Sequence, residues 1–249
     1  MDDALQVQKL TKIYTKAKAA NEVEFSIARG EIFALIGPNG AGKTTTLRMV
    51  ATLLKPTSGD ALVGGVSVVK HPQQVREQIT YLPDEAGAYK NMKGIDYLKF
   101  MASLFSSRKE EIQQYVETGV KIADLGNRIQ DKIGSYSRGM TRRLLLARAV
   151  MTKPTLAILD EPTSGLDILN ALEIRRMIRQ LADEGMSFLI SSHNMLEIEY
   201  LSDRVGIISG GVLHVTGTPE ELKAKYEAAN LEEVFEQAVH FKKEDNIHE

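Results

Sequence analysis

Residues 37 to 44 read Gly37-Pro38-Asn39-Gly40-Ala41-Gly42-Lys43-Thr44; the apolar run Ile32-Phe33-Ala34-Leu35-Ile36 precedes them, and Thr45-Thr46-Leu47-Arg48-Met49-Val50 follows with a helical pattern. A strand that stops in glycines and restarts as a helix commits the chain to an α/β core. The glycines let the backbone curl with successive N–H groups pointing inward, and the following helix aims its positive end at the same place. Phosphate oxygens fit such a nest. Lys43 reaches the β- and γ-phosphates as a mobile point charge, and the Thr44 hydroxyl is placed to ligate Mg2+. The segment reads as a nucleoside triphosphate site.

The rest of the chain is consistent with one large α/β domain, or one domain carrying an inserted subdomain. Its 249 residues are 43% hydrophobic, enough for a sizeable core. There is no cysteine, which excludes disulfides, thiolate metal sites and cysteine nucleophiles. Lys and Arg number 31 against 33 Asp and Glu, a net charge of −2 that gives no electrostatic footprint for nucleic acid. No apolar stretch approaches the roughly 18 to 20 residues that cross a bilayer. The start, Met1-Asp2-Asp3-Ala4, is acidic where a signal peptide is basic. The expected product is soluble, or is held at a membrane by another subunit.

Short β-like runs at 5–7, 23–27 and 32–36 precede the glycine loop, and 61–69 follows its helix, so the opening reads as antiparallel before a parallel core begins. From about Asp96 to Ile122 the pattern is helical, with Tyr97, Phe100, Met101, Leu104 and Phe105 at three-and-four spacing and expected mostly in the core. Leu156-Ala157-Ile158-Leu159 reads as a strand covered on both faces. A further strand is expected at 187–190, and Gly210-Gly211 should turn 205–208 into a hairpin with 212–215. The tail 242–249 reads as solvated.

Ligand groups gather at the carboxyl ends of parallel strands. Asp160 closes the hydrophobic strand, where its carboxylate can hold Mg2+ through water beside Thr44, and Glu161 is the candidate general base for an attacking water. His193 follows a separate strand and can donate to a γ-phosphate from the same sheet edge. Gly134-Ser135-Tyr136-Ser137-Arg138-Gly139-Met140 precedes another helix, and a Ser hydroxyl at a helix start makes a second anion site. Two phosphate-binding surfaces on one chain suggest a nucleotide shared between two chains.

Taken together, these residues resemble the ATP-binding subunit of ABC transporters over nearly the whole chain. The motifs come in that family's order: Walker A at 37–44, a signature-like Tyr136-Ser137-Arg138-Gly139-Met140, Walker B ending at Asp160 with Glu161, a D-loop Ser164-Gly165-Leu166-Asp167, and a switch His193. The resemblance implies an α/β fold: a P-loop NTPase (RecA-like) core with an antiparallel β subdomain and an inserted α-helical subdomain. It is read here as a single ATP-binding domain, with the core and β subdomain at 1–85 and 151–218, the helical subdomain at 86–150 and a C-terminal helical extension at 219–249. ATP and Mg2+ are the implied cofactors. Tyr14 stands where the family stacks an aromatic on adenine. The phosphates would be bound by Gly37, Pro38, Asn39, Gly40, Ala41, Gly42, Lys43, Thr44 and Thr45 of one subunit and by Ser137 and Gly139 of a second, in a head-to-tail pair. A homodimer is expected.

The sequence departs from the family at two positions. Asp84 replaces the Q-loop glutamine, and Asp84 or the adjacent Glu85 is expected to sense the metal held with Thr44 and Asp160; Arg138 replaces the first signature glycine, its side chain expected to point outward. Tyr81 to Tyr89 and the ending 216–222 look most like sodium-extrusion and drug-resistance subunits, which favours export. The implied partner is an integral membrane permease on a separate chain, docking around Asp84 to Phe105 with Tyr89 as an anchor, at the cytoplasmic face of the membrane. The alternative is a soluble ABC ATPase acting on ribosomes or DNA. It is weakened by the single cassette, the lack of room for long coiled coils and the near-neutral charge. Intact Glu161 and His193 disfavour a non-hydrolysing regulatory module.

Overall fold

The computed structural model describes the backbone of residues 3–15 and 17–245 and burial as far as Val239; the tail expected at 242–249 lies beyond the described side chains. The chain opens with strands β1 (Asp3–Tyr14), β2 (Ala17–Ala28) and β3 (Ile32–Ile36), then helix α1 (Lys43–Val50), β4 (Ser58–Val63), β5 (Val66–Ser67), α2 (Pro72–Arg76) and β6 (Ile79–Leu82). Three helices follow, α3 (Gly94–Ala102), α4 (Lys109–Ala123) and α5 (Arg138–Val150). Next come β7 (Leu156–Asp160), α6 (Ile168–Asp183), β8 (Ser187–Ser192), α7 (Met195–Glu199), β9 (Arg204–Ser209) and β10 (Val212–Gly217), and the chain ends in α8 (Pro219–Lys225) and α9 (Leu231–Asp245).

The strands form two sheets. A four-stranded antiparallel sheet has the order β2-β1-β4-β5, and a six-stranded sheet has the order β10-β9-β3-β8-β7-β6, parallel except for the β9–β10 hairpin. Alternation along the strands divides the core in two. Ile32, Ala34, Ala157, Leu159 and Ile190 pack toward the helical side, whereas Phe33, Leu35, Ile158 and Leu189 pack with α1 and the antiparallel sheet.

Two expected elements are interrupted. The run 61–69 turns back at Gly64-Gly65 into the β4–β5 hairpin rather than continuing as one strand. The helical stretch 96–122 is two helices. α3 ends at Ala102, and α4 restarts after Ser106, whose hydroxyl accepts from Arg108 N at 3.0 Å and donates to Glu111 Oε2 at 2.5 Å. With the helix cut short, only one face of α3 is covered. Tyr97 and Leu98 are buried, whereas Phe100, Leu104 and Phe105 are 42%, 63% and 49% exposed, so the expectation that these residues are mostly core fails for them. Burial of one helix stripe leaves the opposite residues free for another surface.

The sheet register builds the site. Ile36 pairs with Ser192 across β3 and β8, and Asp160 pairs with Ser191 across β7 and β8. The next residue on each strand, Gly37, His193 and Glu161, therefore leaves the same edge, with Glu161 one residue short of the other two. Behind this edge, Glu199 of α7 accepts Leu231 N at 3.2 Å and pairs with Lys223, which fastens the C-terminal helices to the helix after His193. Phe188 on β8 is fully buried between β3 and β7. Phe188→Ala is expected to cost about 3–5 kcal/mol of unfolding free energy, read as a lower midpoint in urea denaturation.

Candidate functional site

Residues 38–45 curl around a cavity of about 220 Å3, faced by Ala19 from β2 and by Asp84, Asp160 and Glu161. The curl needs glycine at residue 42. Its φ is +107°, and a Cβ there would lie 2.3 Å from the carbonyl oxygen of Ala19. Lys43 is 5% exposed. Its ammonium donates to Gly37 O at 2.7 Å and Pro38 O at 3.3 Å, and it lies 3.4 Å from Glu161 Oε1. A strongly hydrated cation is thus kept in the loop by carbonyls and one carboxylate.

Asp160 is 3% exposed, and both its oxygens are engaged. Oδ1 accepts from Thr44 Oγ1 at 3.1 Å and from Ser191 Oγ at 2.5 Å, and Oδ2 accepts from the Tyr81 hydroxyl at 3.1 Å. Burial pushes the Tyr81 phenol up to about 12, so it remains a donor, and Arg48 of α1 hydrogen-bonds to the same phenol and is itself raised by it. All the partners of Asp160 are neutral hydroxyls, and it forms no ion pair among the described residues. A buried carboxylate held in this way, with a threonine hydroxyl beside it, is a hard oxygen donor set that fits Mg2+. No group of three or more His, Cys, Asp or Glu among the described residues could hold a metal by itself, so phosphate oxygens would have to complete the shell.

Glu161 has φ +49°, a left-handed turn that is costly for a non-glycine residue and is held by its N–H donating to Ser191 Oγ at 3.0 Å and Ser191 O at 3.2 Å. The turn points its carboxylate back over the loop. Oε1 faces Lys43, and Oε2 lies 2.9 Å from His193 Nδ1 and 3.4 Å from His193 N. The three residues Lys43, Glu161 and His193 are therefore in contact. His193 is half exposed and open to a ligand.

Behind Glu161 lies Arg142 of α5, which the sequence reading did not single out. Its guanidinium donates to Pro162 O at 2.6 Å, Glu161 O at 2.5 Å, Asp84 O at 3.1 Å and Pro83 O at 3.5 Å. Burial lowers its pKa, opposed by the charges of Asp84, Asp160 and Glu161. One side chain thereby ties α5 to the end of β7 and to the segment after β6. Asp84 borders the phosphate cavity, its carboxylate 4.0 Å from Arg142.

Ser137 caps α5, its Oγ accepting from Met140 N at 3.1 Å. Arg138 is exposed, as expected, and its NH1 donates to Gly165 O at 2.7 Å, which joins the signature to the D-loop. Gly139 has a reason within its own chain: a Cβ there would sit 1.8 Å from Asn170 Oδ1, and the Asn170 amide is held by Asp167 Oδ2 at 2.6 Å. Tyr14 ends β1 opposite Ala17, is 47% exposed, and has the Lys12 ammonium 5.3 Å from its ring centroid; it does not line the phosphate cavity. Gly139→Ala is expected to cost about 1–3 kcal/mol through overpacking. Adding Asn170→Ala should recover much of the loss, which a double-mutant cycle of thermal unfolding would measure.

No helix among the described residues is long and apolar enough to cross a membrane. A family model described as ABC transporter matches residues 20–164. The chain is 35% identical over 218 residues to the linearmycin resistance ATP-binding protein LnrL of Bacillus subtilis, covering 88% of this chain and 70% of that one. It is likewise 35% identical over 219 residues to the ABC transporter ATP-binding protein NatA of the same organism, covering 88% and 89%. A solved ATP binding subunit of an ABC transporter superposes with a TM-score of 0.83 at 26% identity, covering 95% of this chain and 99% of that one.

Proposed function

This chain belongs to the family of ABC transporter ATP-binding proteins, and on that premise we propose how its own residues run ATP hydrolysis for a separate membrane permease. It is an ATPase subunit. The observation that carries the reading is the contact set Lys43–Glu161–His193 at one sheet edge, beside a buried Asp160.

The phosphates of ATP enter the cavity lined by residues 38–45. Their negative charge draws Lys43 from Gly37 O and Glu161. Glu161, released on that side, accepts a proton from the attacking water, while His193 moves its ring from Glu161 Oε2 toward the γ-phosphate. Bound Mg2+ supplies Lewis-acid stabilisation of charge on the phosphate oxygens, and Thr44 and Asp160 are the residues that would hold it. Asp84 lies on the same cavity, where it can sense the metal. Tyr14 offers an exposed ring to adenine once Lys12 gives way.

A second copy supplies Ser137 and Gly139 across the nucleotide. Support for a pair comes from Ile168 and Leu169, which are 77% and 74% exposed directly after the D-loop, an apolar surface that asks for cover. Residues 86–150 are the unit that moves with nucleotide, because Arg142 and Arg138 of α5 hold the backbone on either side of Glu161 and the D-loop. Movement there reaches the permease through the exposed side chains Tyr89, Phe100 and Phe105; Tyr89 is 57% exposed and packs edge-on against Phe100. The protein would then work at the cytoplasmic face of a membrane. One relative is named a linearmycin resistance ATP-binding protein, which supports export of a drug-like molecule; sodium ion is the other cargo that the sequence resemblance implies.

Glu161→Gln is expected to retain ATP binding and lose steady-state hydrolysis by about 10²–10⁴-fold; near-normal turnover by phosphate release would remove Glu161 from the role. Phe105→Asp is expected to leave the ATPase activity of the isolated subunit intact and abolish co-purification of a multi-span membrane subunit, checked by affinity capture from detergent-solubilised membranes.

A further inference from the structure

Tyr81 lies on β6, the edge strand next to β7, and pairs in parallel register with Ile158. Side chains on β7 alternate, so Ile158 and Asp160 share a face, and Tyr81 shares it with them. Two residues of strand rise by about 6.6 Å, a span that a phenol covers and an aliphatic side chain does not. The hydroxyl accordingly reaches Asp160 Oδ2 at 3.1 Å, although its own Cα is level with residue 158. Packing does not require this hydroxyl, because the ring already contacts the apolar cluster beneath α1 and Leu or Val would complete the strand.

Thr44 and Ser191 both donate to Oδ1, and Tyr81 is the one donor to Oδ2 among the described residues. With Oδ2 released, the carboxylate is free to turn about its Cβ–Cγ bond, and both oxygens then compete for the same two hydroxyls. With Oδ2 held, Oδ1 stays toward Thr44 and the cavity. Arg48 of α1 hydrogen-bonds to the same phenol. Partners in this outer position commonly govern how well a ligand receives its metal.

We propose that Tyr81 is a positioning residue for the metal site: its hydroxyl sets the rotation of the Asp160 carboxylate and thereby tunes Mg2+ binding with nucleotide. The inference rests on the reading of Thr44 and Asp160 as the Mg2+ residues. The test is Tyr81→Phe, which keeps the ring and removes one oxygen. ATP affinity is measured by calorimetry in EDTA and across a Mg2+ titration, and bound Mn2+ by electron paramagnetic resonance in the presence of nucleotide. The expected result is unchanged ATP affinity in EDTA and an unchanged thermal midpoint, but a Mg2+ requirement raised about tenfold or more, with a matching loss of bound Mn2+. An unchanged Mg2+ requirement overturns the proposal, as does an equal loss of affinity with and without metal, which marks a structural role. If nucleotide binding to the unaltered protein ignores Mg2+, both this inference and the metal reading fall.

Discussion

The carboxylate of Asp160 is buried at the end of β7, and among the described residues its hydrogen bonds come from three hydroxyls. That constraint organises much of the molecule. A buried anion without donors is costly, so β8 brings Ser191, β6 brings Tyr81 and the first turn of α1 brings Thr44, one donor from each element. The same Ser191 accepts the N–H of Glu161 and supports its left-handed turn. Remove the carboxylate, and three elements lose their shared point of registration at the edge where the chemistry would occur.

A second link is Arg142. Ordinary helix packing would let α5 slide over β6 and β7, but a buried guanidinium with four carbonyl acceptors on two separate segments couples it to both. Arg138 adds a contact from the start of the same helix to Gly165. A rotation of α5 cannot leave the Glu161 turn or the D-loop undisturbed. Under the proposed function, this linkage is what would couple nucleotide state to the exposed side chains Tyr89, Phe100 and Phe105 of the same helical unit.

Some of this was legible in the sequence for simple reasons. The glycine loop is contiguous, so its spacing carries its conformation, and Leu156 to Leu159 is an unbroken apolar run that only a strand covered on both faces would need. Asp160, Glu161 and His193 each follow such a run, which placed them at one edge. Tyr81, Ser191 and Arg142 were not legible, because their roles depend on which strand lies beside which and on where a helix crosses. The Gly64-Gly65 turn and the Ser106 break are local signals set within longer hydrophobic patterns, which dominate the reading of those segments. Gly139 illustrates a different limit. Its place in the signature was visible, but the side chain that forbids a Cβ there, Asn170, belongs to another helix.

In the proposed function, Lys43, Glu161 and His193 form a resting set that nucleotide rearranges. The most direct test is a crystal structure with Mg2+ and a non-hydrolysable ATP analogue. The account predicts that Lys43 leaves Gly37 O and Glu161 for the phosphates, and that the His193 ring turns from Glu161 toward the γ-phosphate. An analogue bound in the loop with the Lys43–Glu161 and Glu161–His193 contacts intact would contradict it.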